Sequence, residues 1–369
     1  MKTWLRILCV VLCAAFICGM PFFLSSPVMV QEAKDELLKD GDDEDEGESL
    51  DFGRLFFSFA AAEEEFVMEA TDEEDPFAPK NSESVSEDKL SIPDAWKLPL
   101  DFSVPPMPDP EKFTENGYED ASIRVTFETL DIMESKVHVA RIEVADPSQV
   151  RTATAYGVKS ERTLKMFNIA KQNNAVIAMN GDLFIEKPEK KRFEVRMTEM
   201  IPKRNKTSKV KDTLIIDRNG DFKLFILSEG LKEYTQQHGD DIVNAFMFGP
   251  ALVVDGEINT HKEYDYDRKG RTCRSAIGQT GPLSYLCVVV EARGKSRGVS
   301  HEELAEMMKD LGCIQAYNLD GGNTAEMIMI GPDADNVMFH VKGDQTASEY
   351  RSQSDIIYFA TAVPESERD

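Results

Sequence analysis

Tyr317-Asn318-Leu319-Asp320-Gly321-Gly322 is an apolar stretch that stops abruptly at an acid followed by two glycines. Upstream, Ala175-Val176-Ile177-Ala178-Met179-Asn180-Gly181-Asp182 has the same design. A short apolar run bounded by turn formers reads as a buried strand. The end of such a strand places side chains at a sheet rim, where ligands of α/β proteins commonly bind. Glycine there lets the backbone approach a ligand, and successive amides in the turn can hold an anion. Either segment alone is equally an ordinary polar turn, since Asn-Gly and Asp-Gly are common turn dipeptides. The recurrence of the pattern, each time after a strand, makes a shared site the stronger reading.

The surrounding sequence alternates between the two secondary-structure periods. Ile123–Leu130 repeats with period two and Val137–Val144 is similarly β-rich, so two strands open a domain at about Tyr118. Ser160–Asn173 reads as a helix with Leu164, Phe167 and Ala170 on one side. Arg218-Asn219-Gly220-Asp221 and Asp255-Gly256 are hairpin turns between short apolar runs. Ser300 and Glu303 form a capping box for a helix with Leu304, Met307, Met308 and Leu311 as its inner stripe, ended by Gly312. Strands surrounding two clear helices predict a mixed α/β (α+β) class, a mixed β-sheet core with flanking helices, over 116–365.

The N-terminal third reads differently. Lys2 and Arg6 precede Ile7–Leu24, eighteen residues without a charge, which makes 1–30 either an uncleaved membrane anchor or a cleaved export signal. Both place the remainder outside the cytoplasm. Residues 31–115 read as an acidic, Pro-rich, disordered linker, in which the phenylalanines of Asp51–Val67 make an amphipathic patch or a short docking segment. Of the net charge of −25, the stretch from Gln31 to Asp75 alone carries −16. Nothing supplies the basic face that binding nucleic acid requires.

Cys273, Cys287 and Cys313, with no CxxC spacing, read as buried free thiols; Cys9, Cys13 and Cys18 lie in the apolar run. The five histidines lack ligand spacing, and His301 reads as a solvent-facing residue of a first helical turn. No GxSxG, P-loop or GxGxxG is present, so serine-hydrolase, nucleotide and Rossmann readings have no support; no cofactor is predicted, and the cysteine and histidine spacings predict no metal site. Two further elements carry charge into strands, where it needs a partner: Arg274-Ser275-Ala276-Ile277-Gly278 and Arg351-Ser352-Gln353-Ser354-Asp355. Arginine forks bind phosphate or carboxylate. Of the three cations just upstream, Arg268, Lys269 and Arg271, the first two read as a solvated basic loop.

Asn180-Gly181-Asp182, Phe248-Gly249-Pro250-Ala251, Arg274–Gly278, the Ser300–Gly312 helix, Asn318–Gly322 and Arg351–Asp355 occur in the order found in phosphodiester glycosidases. The chain resembles that family over about 118–363, and most of all its exported, membrane-anchored bacterial branch. The resemblance implies hydrolysis of a sugar-1-phosphodiester of N-acetylhexosamine type in envelope glycans, wall polymers or exopolysaccharide. It implies Asp182 and Asp320 as the acid/base or nucleophile pair, and Arg274 holding the phosphate with Arg351 assisting or bracing Asp320. Asn180, Gly181, Gly321, Gly322, Asn323 and Thr324 would line the pocket, with Ser275 and Asp355 behind them. The implied partners are the glycan substrate and, through the N-terminal helix, a membrane. The implied place is the cell surface as a single-pass protein, or the medium if the signal is cleaved.

The sequence departs from the family at one telling position. After Asp-Gly-Gly the family usually has a small residue and then Ser-Ser-Thr-Met or Ser-Ala-Thr-Met. Here Asn323-Thr324-Ala325-Glu326-Met327 stands instead, with Glu326 for a threonine. A carboxylate there repels a phosphate unless it is protonated or paired with Arg274 or Arg351. Specificity has shifted, Glu326 faces elsewhere, or activity is lost. The alternative function is therefore a catalytically silent domain that binds envelope glycans.

Overall fold

Period-two patterning of the sequence becomes long antiparallel ladders. Ile123–Ile132 and Ser135–Val144 pair along their whole length, from Ile123 opposite Val144 to Ile132 opposite Ser135. The computed structural model describes residues 89–182, 193–201, 211–260, 269–333 and 337–368. These all fall in one compact unit, Ser84–Asp369. The expected signal or anchor at 1–30, the acidic stretch up to position 88 and Arg268 lie outside the described residues. Among the described residues no helix is long and apolar enough to cross a membrane.

The opening hairpin belongs to a nine-stranded sheet. Its order is Phe113–Thr114, Gly117–Glu119, Ile123–Ile132, Ser135–Val144, Ser284–Val290, Arg274–Gly281, Gln315–Asn318, Ala251–Val254 and Glu257–Ile258. A five-stranded sheet packs against it, ordered Val337–Lys342, Glu326–Ile330, Ile177–Asn180, Asp355–Phe359 and Val150–Thr154. Every ladder between these strands is antiparallel.

Strand alternation assigns each side chain to a layer. Ile177, Met179, Met327, Met329, Ile357 and Phe359 enter the core between the sheets together with Ile277, Tyr317 and Val289. Their neighbours Ala178, Ile328, Ile356 and Tyr358 face the other way, onto Met166, Ile169 and Ala170 of the helix Met166–Gln172. On the far side of the large sheet, the helix His301–Asp310 buries Leu304, Ala305, Met307 and Met308 against Val139, Val253, Ala276 and Val288. The layers therefore run helix, sheet, sheet, helix. Each buried Leu or Met contributes about 1.5–3 kcal/mol, and Leu304→Ala would cost about 2–5 kcal/mol. A third sheet, Phe222–Phe225, Thr213–Asp217, Ile242–Phe246, Val195–Arg196 and Glu199–Met200, closes one end of this core.

Local signals were honoured in most places. The Ser300–Glu303 capping box forms, and the Asp255-Gly256 turn has positive φ at both residues. Cys273, Cys287 and Cys313 are free and buried, and burial pushes the Cys313 thiol up to about 12, out of the reactive range.

Three expectations need correction. The helix expected over Ser160–Asn173 is confined to Met166–Gln172, because Leu164–Lys165 instead pairs with Ser352–Gln353. His301 is only 5% exposed: the Thr272–Val299 bridge draws the helix start into the body. The chain ahead of position 116 is no free linker from Lys89 onward. The buried Arg151 donates to the carbonyls of Pro99 (2.9 Å), Asp101 (2.7 Å) and Ser103 (3.1 Å), and Asn174 donates to Pro105 at 2.8 Å. A Pro-rich backbone offers carbonyls rather than amides, and a guanidinium fork collects several at once.

Candidate functional site

The two motif strands end side by side although they belong to different sheets. In the five-stranded sheet, Asn180 lies opposite Ile356 and Met179 opposite Met327. The end of Ile177–Asn180 therefore meets the beginnings of Asp355–Phe359 and Glu326–Ile330. In the large sheet, Asn318 lies opposite Ala276, so Asp320 emerges beside Arg274 and Ser275. The rims are joined by the fully buried Asn180, whose Nδ2 donates to the Asp320 carbonyl at 2.8 Å and whose Oδ1 accepts from the Glu326 amide at 3.1 Å. Ser275 Oγ donates to the same Asp320 carbonyl at 2.7 Å, and the Asp320 amide donates to Gly181 O at 3.4 Å.

Both glycine positions are close approaches. A Cβ on Gly181 would stand 2.4 Å from Asp355 Oδ2, and one on Gly321 would stand 2.7 Å from the Cys273 carbonyl. At such distances any side chain would force its neighbour to move, so the glycines let the two turns interlock. Buttressing comes from Phe248–Ala251: Asn318 Nδ2 donates to Gly249 O at 2.9 Å, and its amide donates to Pro250 O at 2.9 Å.

Asp182 lies inside a charge cluster that the sequence reading missed. Its side chain is fully buried, and Arg196 Nη2 donates to Oδ1 at 2.8 Å. The same guanidinium reaches Asp355 Oδ2 at 2.7 Å through Nε, and Glu194 Oε2 at 3.2 Å through Nη1. It also donates to Ala245 O at 2.5 Å and lies 4.0 Å over the Phe246 ring. Asp182 Oδ2 has no hydrogen-bond partner among the described residues. Burial works against the charge on Arg196, but Asp355, then Asp182 and Glu194, outweigh it and hold the guanidinium above its ordinary value. Three carboxylates around one cation leave excess negative charge in a desolvated place. Asp355 absorbs it: burial first, and then the charge of Asp182, push its carboxyl up to about 7 against the pull of Arg196. A signal for Arg196 did exist in Phe193-Glu194-Val195-Arg196, which sets two opposite charges on one strand face.

The other expected residues border this centre. Arg274 is half-buried and donates to the carbonyls of Gly270 (2.8 Å) and Val299 (3.3 Å). Arg351 is exposed and donates from Nη1 to Thr324 Oγ1 at 2.9 Å. Gly322 donates to Cys273 O at 3.1 Å. Asn323 accepts from Arg293 at 3.2 Å, at the outer edge of the turn. Among the described residues, the Glu326 carboxylate meets His340 and Gln353 rather than Arg274 or Arg351. It is 1% exposed, with Oε1 2.5 Å from His340 Nε2 and Oε2 accepting from Gln353 at 2.8 Å. Among the described residues no group of three or more His, Cys, Asp or Glu side chains is arranged to hold a metal ion.

Comparison with known proteins agrees with this architecture. Among solved structures, the zebrafish N-acetylglucosamine-1-phosphodiester α-N-acetylglucosaminidase catalytic domain, auto-inhibited by its pro-peptide, superposes with a TM-score of 0.50 at 16% identity. That match covers 65% of this chain and 83% of the zebrafish one, and it speaks for the fold alone. A hypothetical protein from Synechocystis aligns with a TM-score of 0.43 at 13% identity, over 64% of this chain and 62% of its own. An uncharacterized protein of Bacillus subtilis, the SPbeta prophage-derived YomE, is 29% identical over 96 residues, or 26% of this chain. The chain spans only 15% of that relative's length. The sequence profile of the phosphodiester glycosidases matches residues 173–360, more than half of the chain and every strand end that builds the site. The chain belongs to the phosphodiester glycosidase family.

Proposed function

We propose that the protein hydrolyses a sugar-1-phosphodiester of N-acetylhexosamine type in envelope or extracellular glycans. The observation carrying this reading is the junction of the two strand ends, where Asn180 and Ser275 fix the backbone of Asp320 beside Gly181 and Asp182. Cleavage at the anomeric carbon breaks the C1–O bond. Water supplies hydroxide to the carbon, its proton passes to a base, and the phosphomonoester departs with the bonding electrons. That leaving group is a weak base, its second ionisation lying near about 6. It needs cations more than an acid, whereas the oxocarbenium-like centre needs a carboxylate.

The two aspartates then divide the work by environment. Asp320, half-buried and set on a pinned backbone, serves as the carboxylate at the reacting carbon. Asp182, locked to Arg196, fixes the Gly181 turn, whose carbonyl accepts from the Asp320 amide, and so holds Asp320 in place. Arg351 and Arg274 take the phosphate, with Thr324, Asn323 and the Gly321-Gly322 turn around it. Glu326 does not weigh against activity, since both its oxygens are engaged by His340 and Gln353. We further propose that the apolar N-terminal segment exports the domain and, if uncleaved, holds it at the membrane.

The test incubates the purified protein with UDP-GlcNAc and a panel of defined GlcNAc-1-phosphodiesters and measures free sugar. Turnover abolished by Asp320→Asn supports the proposal. Glycan binding with no turnover on any substrate would establish the silent binding domain instead. Recovery of the protein from the medium of its native cells, without its N-terminal segment, would replace the anchor with a cleaved signal.

A further inference from the structure

We propose that Glu326 is a positioning residue that, through His340 and Gln353, sets the Tyr350–Gln353 segment so that Arg351 is aimed at the substrate phosphate. This rests on reading Arg351 as a phosphate ligand.

Glu326 begins its strand directly beyond the Asp320–Thr324 turn, and its amide is tied to Asn180. Its two carboxylate oxygens run to two different places. One lies 2.5 Å from His340 Nε2 on the adjacent strand; the other accepts from Gln353 Nε2 at 2.8 Å, an amide that also donates to Thr324 O at 3.0 Å. His340 in turn grips Tyr350. The rings stack at 3.6 Å with 10° between their planes, and Tyr350 Oη donates to the His340 carbonyl at 2.8 Å. Lys165 Nζ donates to the Tyr350 carbonyl from the strand that pairs with Ser352–Gln353, and Lys342 Nζ lies 5.2 Å from the centre of the Tyr350 ring.

Both ends of the Tyr350–Gln353 segment are thus held by one carboxylate, directly at Gln353 and through the imidazole at Tyr350. Arg351 lies between them and donates to Thr324 Oγ1, which is two residues before Glu326. A flexible, exposed arginine gains specificity when its backbone is fixed from both sides, because less freedom is lost on binding the anion. A threonine at this position could not do the same. Its single hydroxyl is two carbons shorter and carries no charge, so it cannot reach His340 and Gln353 together. Glu326 therefore belongs with His340 as one device, and it acts on binding rather than on the bond-breaking step.

The experiment is a double-mutant cycle with Glu326→Thr, Arg351→Gln and the double variant. KM and kcat are measured on a GlcNAc-1-phosphodiester, and Kd for inorganic phosphate is measured by calorimetry. Glu326→Thr is expected to raise KM and phosphate Kd about tenfold, with kcat within about twofold. The double variant is expected to be no weaker than Arg351→Gln alone. Additive losses, a fall in kcat at unchanged KM, or no effect in a folded variant would overturn the proposal. If Glu326→Thr does not fold, Glu326→Gln, which keeps the Gln353 bond and loses the charge facing His340, is expected to raise KM about threefold; unchanged KM would overturn it. Wild-type protein that binds phosphate but turns over no sugar-phosphodiester would defeat the proposed hydrolysis, while the phosphate cycle would still decide the role of Glu326. Wild-type protein that binds no phosphate would defeat the role of Glu326.

Discussion

Asn180 and Asp320 are 140 positions apart, yet the Asn180 amide nitrogen donates to the Asp320 carbonyl at 2.8 Å while its oxygen accepts from the Glu326 amide at 3.1 Å. One buried side chain thus holds the end of one sheet against the end of another and fixes where the Asp320 carboxylate stands. Asn180→Ala leaves two backbone groups without this partner, and stability should fall by about 1–3 kcal/mol for each buried group left unsatisfied. A displacement of about 1 Å at the reacting group costs on the order of 10²-fold in rate. Chemical denaturation and steady-state kinetics should therefore show a folded protein with kcat reduced by about that factor. Full activity in Asn180→Ala would mean that the junction does not position the chemistry.

Arg196 should be the least replaceable cation in the protein. Its guanidinium satisfies Asp182, Glu194 and Asp355 within 2.7–3.2 Å, with no exposed surface. Removing one partner of a buried ion pair typically costs about 3–5 kcal/mol, and here three carboxylates lose their common partner. Arg196→Met should therefore accumulate poorly and melt well below wild type. Arg196→Lys, which keeps the charge but not the planar fork, should fold and lose most activity. A melting temperature for Arg196→Met within a degree of wild type would show that the cluster contributes nothing to the fold.

Much of this arrangement was legible in local sequence, and the unread remainder is long-range. The strand ends at Asn180 and Asp320, the Asp255-Gly256 hairpin and the Ser300–Glu303 cap each depend on residues within a few positions of one another. The Glu194–Arg196 pair on one strand face was the only local hint of Arg196, since its other two carboxylate partners, Asp182 and Asp355, lie 14 and 159 positions away. Glu326 showed itself only as a departure, since His340, 14 positions along the chain, becomes its neighbour only when two strands pair. The helix over Ser160–Asn173 was overestimated for the same reason: Ser352–Gln353 claims Leu164–Lys165 as a strand partner.

Gly181 and Asp355 offer a steric test of the same cluster. A Cβ at position 181 would stand 2.4 Å from Asp355 Oδ2, so Gly181→Ala must displace either the turn or the carboxylate. Displacing Asp355 breaks its 2.7 Å contact with Arg196. Activity should fall at least tenfold with a lowered melting temperature. Asp355→Ala in the Gly181→Ala background should relieve the clash, so the double variant should be no less stable than Asp355→Ala alone. Additive destabilisation would place the clash elsewhere.

Asp355 should also give the fold a pH dependence of predictable sign. Its carboxyl is pushed up to about 7 in the folded protein, whereas an unfolded aspartate titrates near about 3.9. The folded state therefore binds the proton more tightly. The stability this supplies is fully present below about pH 4 and is lost as pH rises through about 7. Set against wild type, Asp355→Asn should remove that component, so the difference in melting temperature between the two proteins should change steadily between pH 4 and 8. Asp182 supplies part of the upward push, so Asp182→Asn should move the same transition to lower pH without abolishing it. Parallel melting curves for wild type and Asp355→Asn across this range would mean that Asp355 stays ionised, and the excess negative charge around Arg196 would have to be relieved by another group.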